Sequence, residues 1–410
     1  MKKFAKISLA AAVAVAGLSS VASAKPLEEA IKGVDATGYV TYQYNDTNSN
    51  LTNGTSSQNN TYKAALSLTI PAADDVAVKV TGVTGTGLNA SDNAATTDGT
   101  GDVNPTTNVE HANFVYTGVQ NLTVIAGKQA LNTPWTEGTS VINSTQNGTG
   151  ALALYNAGFA TIAAGHFVNN GIDGASNGAF QSTVATAIGV PNSAINIKSN
   201  DITVAAAIVP MGEIATAQVW YARIGKTSET SVFQDGAKAL SAVVDVNLMD
   251  VAKLNVRHST LKDDVTLVQT NKMTKAVLSG AVGPVNLAVG YGKTGTNGGL
   301  VAFDKDTDAT MTGYQLSLNG IPDAKAYLLS ANMNVMPSVN VALTHINGES
   351  DNSATGLDLD FEETYAQVTY NHNKNLSAYV RYGSAEIKDG TTGAKAFDTD
   401  AGRLQVGYKF

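Results

Sequence analysis

Over most of the chain apolar and polar residues alternate with a period of two. Tyr62, Ala64, Leu66, Leu68 and Ile70 oppose Lys63, Ala65, Ser67 and Thr69. Leu240, Ala242, Val244, Val246 and Leu248 oppose Ser241, Val243, Asp245 and Asn247, and Val285, Leu287, Val289 and Tyr291 share one parity. The chain ends on Leu404, Val406, Tyr408 and Phe410, set against Arg403, Gln405, Gly407 and Lys409. A period of two sends alternate side chains to opposite faces of a strand, so each run predicts a strand with one oily and one wet face. The runs end by turns at tight signals (Asn156-Ala157-Gly158, Pro210-Met211-Gly212, Gly283-Pro284, Met336-Pro337-Ser338) and at long polar stretches such as 85–108 and 168–199.

This rhythm predicts an all-β fold: a transmembrane antiparallel β-barrel with short periplasmic turns and long outer loops. Taking every alternating run gives about nineteen strands, but single-chain bacterial barrels have an even number with both termini on the periplasmic side. The run 309–319 is therefore read as an arm within a long outer loop. That leaves about eighteen strands, with about sixteen as the fallback.

Charge placement separates this reading from a soluble β-sandwich. Lys63, Lys79, Asp245, Lys253, Arg257, Arg381 and Arg403 fall on the parity opposite the oily one. A Lys or Arg facing lipid at the midplane would cost roughly 2–4 kcal/mol, so these charges are expected to face a lumen. Lys128 and Lys238 break the rule near strand ends, where an ammonium can snorkel to water. A sandwich would use about seven to nine strands per roughly 100 residues, whereas here a single rhythm runs from 36 to 410 without a linker. Tyr42, Tyr62, Tyr291, Tyr382 and Tyr408 are expected near the ends of the oily faces, as in aromatic girdles.

Composition adds the compartment. Lys2, Lys3 and Lys6, the apolar stretch from Ile7 to Leu18, and Ala22-Ser23-Ala24 form the three parts of a signal peptide, read as residues 1–24. The remaining 25–410 are expected to form one barrel domain. Removal of the leader leaves 23 basic against 34 acidic residues, a net charge of −11, which argues against a nucleic-acid partner. No cysteine is present, so an exported chain of this size must be held together by something other than disulfides. A closed ladder of hydrogen bonds would serve.

The stretch P-L-E-E-A-I-K-G-V-D-A-T-G-Y-V-T-Y-Q-Y, from Pro26 to Tyr44, resembles the mature amino terminus of the major outer membrane proteins of the Campylobacter group, and the likeness returns at the last strand. The resemblance implies a trimeric porin in the outer membrane of a Gram-negative bacterium. The terminal aromatic strand, with Tyr408 and Phe410, is similar to the assembly signal of outer-membrane barrels and implies recognition by the barrel-assembly machinery. The expected function is a water-filled channel for passive diffusion of ions and small hydrophilic solutes, with a weak cation preference from the net charge. An adhesin or structural barrel with a plugged lumen is the alternative, and a secreted soluble β-rich enzyme the remote one.

In large porins the third outer loop often folds inward, and here that segment is 130–149. Glu137 is its only charge and is expected to face basic wall residues drawn from Arg223, Lys253, Arg257, Arg381 and Arg403, with Asp245 also lining the pore.

Other motifs carry no chemistry. Gly290-Tyr291-Gly292-Lys293-Thr294-Gly295 matches a dinucleotide fingerprint, but Thr296-Asn297-Gly298-Gly299 cannot open the helix that would bind a pyrophosphate. Gly174-Ala175-Ser176-Asn177-Gly178 lacks the strand-turn-helix setting of a nucleophile elbow. Asp304, Asp306 and Asp308 have the spacing of a calcium loop, but Ala309 stands where glycine is needed and Gln315 where the bidentate glutamate belongs. That leaves at most a loose calcium contact with unassigned ligands. No other cofactor, and no catalytic constellation, is expected.

Overall fold

The computed structural model describes residues 32–410 apart from 53, 86–105, 143–144, 173–196, 230–232, 250, 265–269, 305 and 353–356. The expected signal peptide and the Gly174–Gly178 motif lie outside the described residues. The strands are β1 (Asp35–Ser49), β2 (Ser57–Ala73), β3 (Val76–Gly85), β4 (Thr106–Val119), β5 (Leu122–Ala130), β6 (Asn147–Asn156), β7 (Thr161–Asn170), β8 (Ile202–Met211) and β9 (Ala215–Ile224). They continue with β10 (Ala237–Leu248), β11 (Ala252–Asp263), β12 (Thr270–Val282), β13 (Val285–Thr294), β14 (Ala324–Met336), β15 (Val339–Asn352), β16 (Leu357–Asn371), β17 (Leu376–Asp389) and β18 (Lys395–Lys409).

These strands form one 18-stranded sheet in which each pairs antiparallel with its sequence neighbours. β1 also pairs with β18, from Tyr39 opposite Lys409 to Ser49 opposite Thr399, which closes the barrel and leaves no free edge. Beyond that ladder, Gly38 and Phe410 exchange two backbone hydrogen bonds of 3.0 and 2.9 Å. The run 309–319 lies, as expected, within the connection between β13 and β14.

Turn chemistry fixes one end. Asn121 (φ 63°) and Gly283 (φ 59°) take the left-handed conformation at the β4–β5 and β12–β13 turns, where Asn and Gly are the residues that adopt it most readily. β2 runs through Pro71. Since Pro cannot donate to a ladder, the β2–β3 register shifts between Pro71 and Ala73 and the turn falls at 74–75.

Alternation sorts the two surfaces. Val219, Leu240, Val244, Val289, Leu329, Val380 and Val406 project outward and are exposed on the isolated chain, as a lipid-facing band must be. Tyr221, Tyr291, Tyr327 and Tyr382 stand on that face towards the long-loop end. Tyr155, Tyr370, Tyr408 and Phe410 stand towards the tight-turn end. Inside, a packed apolar cluster fills part of the lumen towards the long loops. It joins Leu131, Trp135, Phe233, Val301, Phe303 and Leu318 from loops to inward residues such as Ile202, Val204 and Leu261.

Candidate functional site: the loop constriction inside the barrel

Two loops turn inward and meet. In loop 131–146, Leu131 donates its N–H to the Gln146 carbonyl (3.0 Å), Gln146 donates to the Glu137 carbonyl (2.8 Å), and the Glu137 N–H donates to Gln146 Oε1 (2.9 Å). Thr136 adds a hydroxyl bond to the Leu131 carbonyl. The loop's base is thereby drawn together. Its tip is pinned to the wall at the Ser140 carbonyl, which accepts from Lys63 Nζ (2.9 Å) and Tyr39 Oη (3.0 Å).

Lys63 is fully buried and also donates to Glu110 at 2.8 Å. The parity rule alone does not find Glu110. The β3–β4 register shifts between Thr81 and Gly82, so Glu110 has no direct cross-strand partner. This bulge turns both Glu110 and His111 away from the lipid face while Val109 stays exposed on it.

Loop 295–323 lies against the first loop. Phe303 donates to the Trp135 carbonyl (2.8 Å) and Ala309 to the Pro134 carbonyl (2.9 Å). Its far arm is held by Glu363 of β16, whose carboxylate accepts the backbone N–H groups of Tyr314 (3.1 Å), Gln315 (2.6 Å) and Leu316 (3.1 Å). Charge-assisted bonds of this kind are stronger than neutral ones. Lys275 Nζ donates to the Thr310 carbonyl at 2.6 Å. The glycines of the 290–295 motif explain the seat: a Cβ on Gly290 would lie 3.0 Å from Met311, and one on Gly292 3.0 Å from both Met311 and Leu318. The motif is room for a loop, not a phosphate cradle.

The expected site residues separate into distinct places. Arg381 and Arg403 are direct partners across β17 and β18 and both reach the Tyr314 ring, at 4.9 and 5.0 Å from its centroid. Arg381 Nε also donates to Gln367 (2.8 Å) and Arg403 Nε to Asn45 (2.7 Å). Arg257 donates to Ser241 (3.1 Å) and lies 3.8 Å from Asp308. Asp245 accepts from Asn255 at 2.7 Å. Lys253 is exposed nearer the tight-turn end, in a recess shared with Ser279, Asn286 and Asn332.

Arg223 is a correction, because it does not line the pore. It shares the parity of exposed Val219 and Tyr221, alternates with buried Ala222 and Ile224, and so points outward from the end of β9. Towards the outer rim the usual sorting reverses: the inner face packs on loops and is apolar, as with Ala222 and Ile224, and charge moves to the outer face.

Glu137 also has other neighbours than those expected. Burial, then Asp304 and Asp306, push its carboxyl up to about 7, against opposing effects of Ser140 and Lys63. The cation that opposes this rise is Lys63, which is not one of the five basic residues expected opposite it. Asp304 Oδ1 accepts the Asp306 N–H (3.0 Å), and Asp308 lies 3.8 Å from Arg257. Among the described residues no group of three or more His, Asp or Glu is arranged to hold a metal. Acidic groups of the two loops, Glu137, Asp304 and Asp306, thus come together, while the walls carry both basic residues and the acids Asp245, Glu110 and Glu363.

The fold has structural counterparts among solved outer-membrane proteins. OccAB3 of Acinetobacter baumannii aligns with a TM-score of 0.70 at 12% identity, covering 92% of this chain and 99% of that one. OccK5 (OpdH) of Pseudomonas aeruginosa aligns at 0.69 and 13%, covering 92% and 98%. OpdK of the same species, solved with vanillate, aligns at 0.69 and 13% with the same coverage. No curated protein matches the sequence. The barrel thus shares the fold of these proteins over nearly their whole length.

The chain belongs to the Campylobacter major outer membrane protein family, whose family model matches residues 1–410. It is an outer-membrane porin of the Gram-negative envelope and a channel rather than an enzyme.

Proposed function

We propose that this porin is a passive, water-filled channel for ions and small hydrophilic solutes, with a weak preference for cations and no cofactor. The observation that carries the preference is the grouping of Glu137 with Asp304 and Asp306 where the two loops meet. Cations on the walls are largely engaged: Lys63 by Glu110, Arg257 by Asp308, and Arg381 and Arg403 by the Tyr314 ring. A solute at the constriction therefore meets the loop acids, while these wall cations are held against partners of their own. Ordered charge around a narrow point sets selectivity in such pores.

The working unit is proposed to be a homotrimer embedded in outer-membrane lipid and inserted by the barrel-assembly machinery through the strand ending in Tyr408 and Phe410. Both rings face outward and stack with centroids 6.1 Å apart, available to a partner during insertion. The test is planar-bilayer conductance of detergent-purified, heat-unmodified protein under a salt gradient. Conductance steps in groups of three, with a reversal potential of cation-selective sign, support the proposal. Absence of steps from folded protein replaces it with the plugged-barrel adhesin or scaffold, and steps with anion-selective sign refute the preference alone.

A further inference from the structure

The outward-facing ends of β9 to β14 carry a cation on every strand: Arg223, Lys238, Lys262, Lys272, Lys293 and Lys325. All six lie on the lipid-facing parity near the long-loop rim. Arg223, Lys293 and Lys325 sit two residues beyond Tyr221, Tyr291 and Tyr327 respectively.

The row is not spread by chance register. Lys238 is directly opposite both Arg223 and Lys262, and Lys293 is directly opposite Lys325. Like charges facing each other across a ladder are destabilising, so such a row requires counter-charge. Lys238 finds Asp264 at 3.2 Å and Lys325 finds Glu349 at 3.3 Å. Arg223, Lys262, Lys272 and Lys293 have no ion-pair partner among the described residues and are exposed.

We propose that this row is a binding band for the phosphate groups of the phosphorylated glycolipid that forms the outer leaflet. The acyl chains of such a lipid would lie on Val219, Leu240, Val256, Leu278 and Val289, directly below, and the tyrosines mark the level at which hydrocarbon gives way to headgroup. Phosphates one step above that level meet the guanidinium and ammonium groups. The row continues the lipid-facing band, so the same molecule satisfies both surfaces. The pattern changes at β15 and β16, where the outward rim carries Glu349, Asp360 and Glu362, so the band covers one arc of the barrel and not its whole circumference.

The test uses the full-length protein in detergent, titrated with bisphosphorylated lipid A, with chemically dephosphorylated lipid A and with inorganic phosphate, and read by native mass spectrometry. Wild-type protein is expected to retain bisphosphorylated lipid A, weakened by added salt and scarcely displaced by inorganic phosphate. The triple variant Lys262→Gln, Lys272→Gln, Lys293→Gln is expected to bind it about a hundredfold more weakly, about fivefold per basic residue removed at a membrane surface. Heat-modifiability and conductance verify that the triple variant still folds.

Equal retention of dephosphorylated lipid A would overturn the proposal, as would full displacement by inorganic phosphate. An equal loss on Lys374→Gln at the opposite end would mark a bulk-charge effect and overturn it too. So would loss of the oligomer with unchanged lipid binding, which would assign the row to a second copy of the chain.

Discussion

Arg381 and Arg403 face each other directly across β17 and β18, and both guanidinium groups rest on the ring of Tyr314, 4.9 and 5.0 Å from its centroid. Two like charges in register would repel. The ring's negative face offsets part of that cost and at the same time fastens loop 295–323 to the far wall, with Tyr365 packed edge-on at 6.0 Å. The paired wall charges and the loop position thus share one contact.

Tyr314→Ala should therefore release the arm and unmask two arginines. Each cation–π contact is worth about 0.5–2 kcal/mol, and the three Glu363 bonds remain, so the arm should loosen without the barrel unfolding. The expected readout is larger single-channel conductance with noisier open states and a reversal potential shifted towards anions. Unchanged conductance and selectivity would show that the arm does not border the ion path.

Glu363→Gln probes the same arm from its other anchor. The amide keeps one acceptor oxygen but presents a donor in place of the other, where three backbone N–H groups converge. Hydrogen bonds to a charged group contribute about 1.5–3 kcal/mol each. The variant should open the loop more than Tyr314→Ala does, with faster proteolytic cleavage within 295–323 while the heat-modifiable barrel persists. Cleavage at the wild-type rate would argue that Glu363 is not the anchor.

The Lys63–Glu110 pair lies inside the barrel wall, with side chains 0% and 9% exposed. Breaking it with Lys63→Met leaves a buried carboxylate, a change that costs about 3–5 kcal/mol in comparable settings. The double variant Lys63→Met, Glu110→Leu should recover most of that, because it removes both desolvated charges. Urea unfolding in detergent micelles distinguishes the cases. Loop 131–146 should stay less constrained in both, since the Lys63 bond to the Ser140 carbonyl is gone.

Phe410 allows stability and assembly to be separated. Its backbone exchanges two hydrogen bonds with Gly38, and its ring stacks on Tyr408. Phe410→Ser keeps the backbone pairing and loses only the ring. Refolding into detergent should be nearly unaffected while insertion in cells falls, whereas Phe410→Trp should restore insertion. Equal losses in both assays would make the ring a packing element and not a signal.

The barrel was legible because a membrane imposes the same parity on every strand: the oily faces of 237–248 and 400–410 needed only a period of two. The strand number followed from evenness, which sent 309–319 to a loop where the structure also has it. Parity failed where the membrane stops acting. Arg223 was misplaced because beyond the hydrocarbon the outer face is wet and the inner face packs on loops. Glu110 was missed because a bulge costs one residue of register and leaves no mark in composition. Glu137's neighbours were missed because Asp304 and Asp306 lie over 160 residues away in sequence and meet it only when two loops fold inward. Gly290 and Gly292 looked like a nucleotide motif because glycine marks close approach of any kind, here of Met311 and Leu318.

Glu137 makes the constriction sensitive to pH. Burial, followed by Asp304 and Asp306, raises its carboxyl from 4.5 to about 7. The group is neutral below that value and negative above it, so the negative charge of the loop acids grows as pH rises through neutrality. Cation preference, measured as reversal potential in a salt gradient, should increase between about pH 6 and about pH 8 and level off on either side. Because the folded value lies above the unfolded one, the group's contribution to stability is present below pH 4.5 and is lost as pH rises through about 7. Ionising Glu137 works against the fold while it sharpens the filter. Glu137→Gln should hold selectivity at its low-pH value throughout, abolish the step near neutrality, and flatten the unfolding profile over the same window. A step that survives in Glu137→Gln would assign the titration to another group.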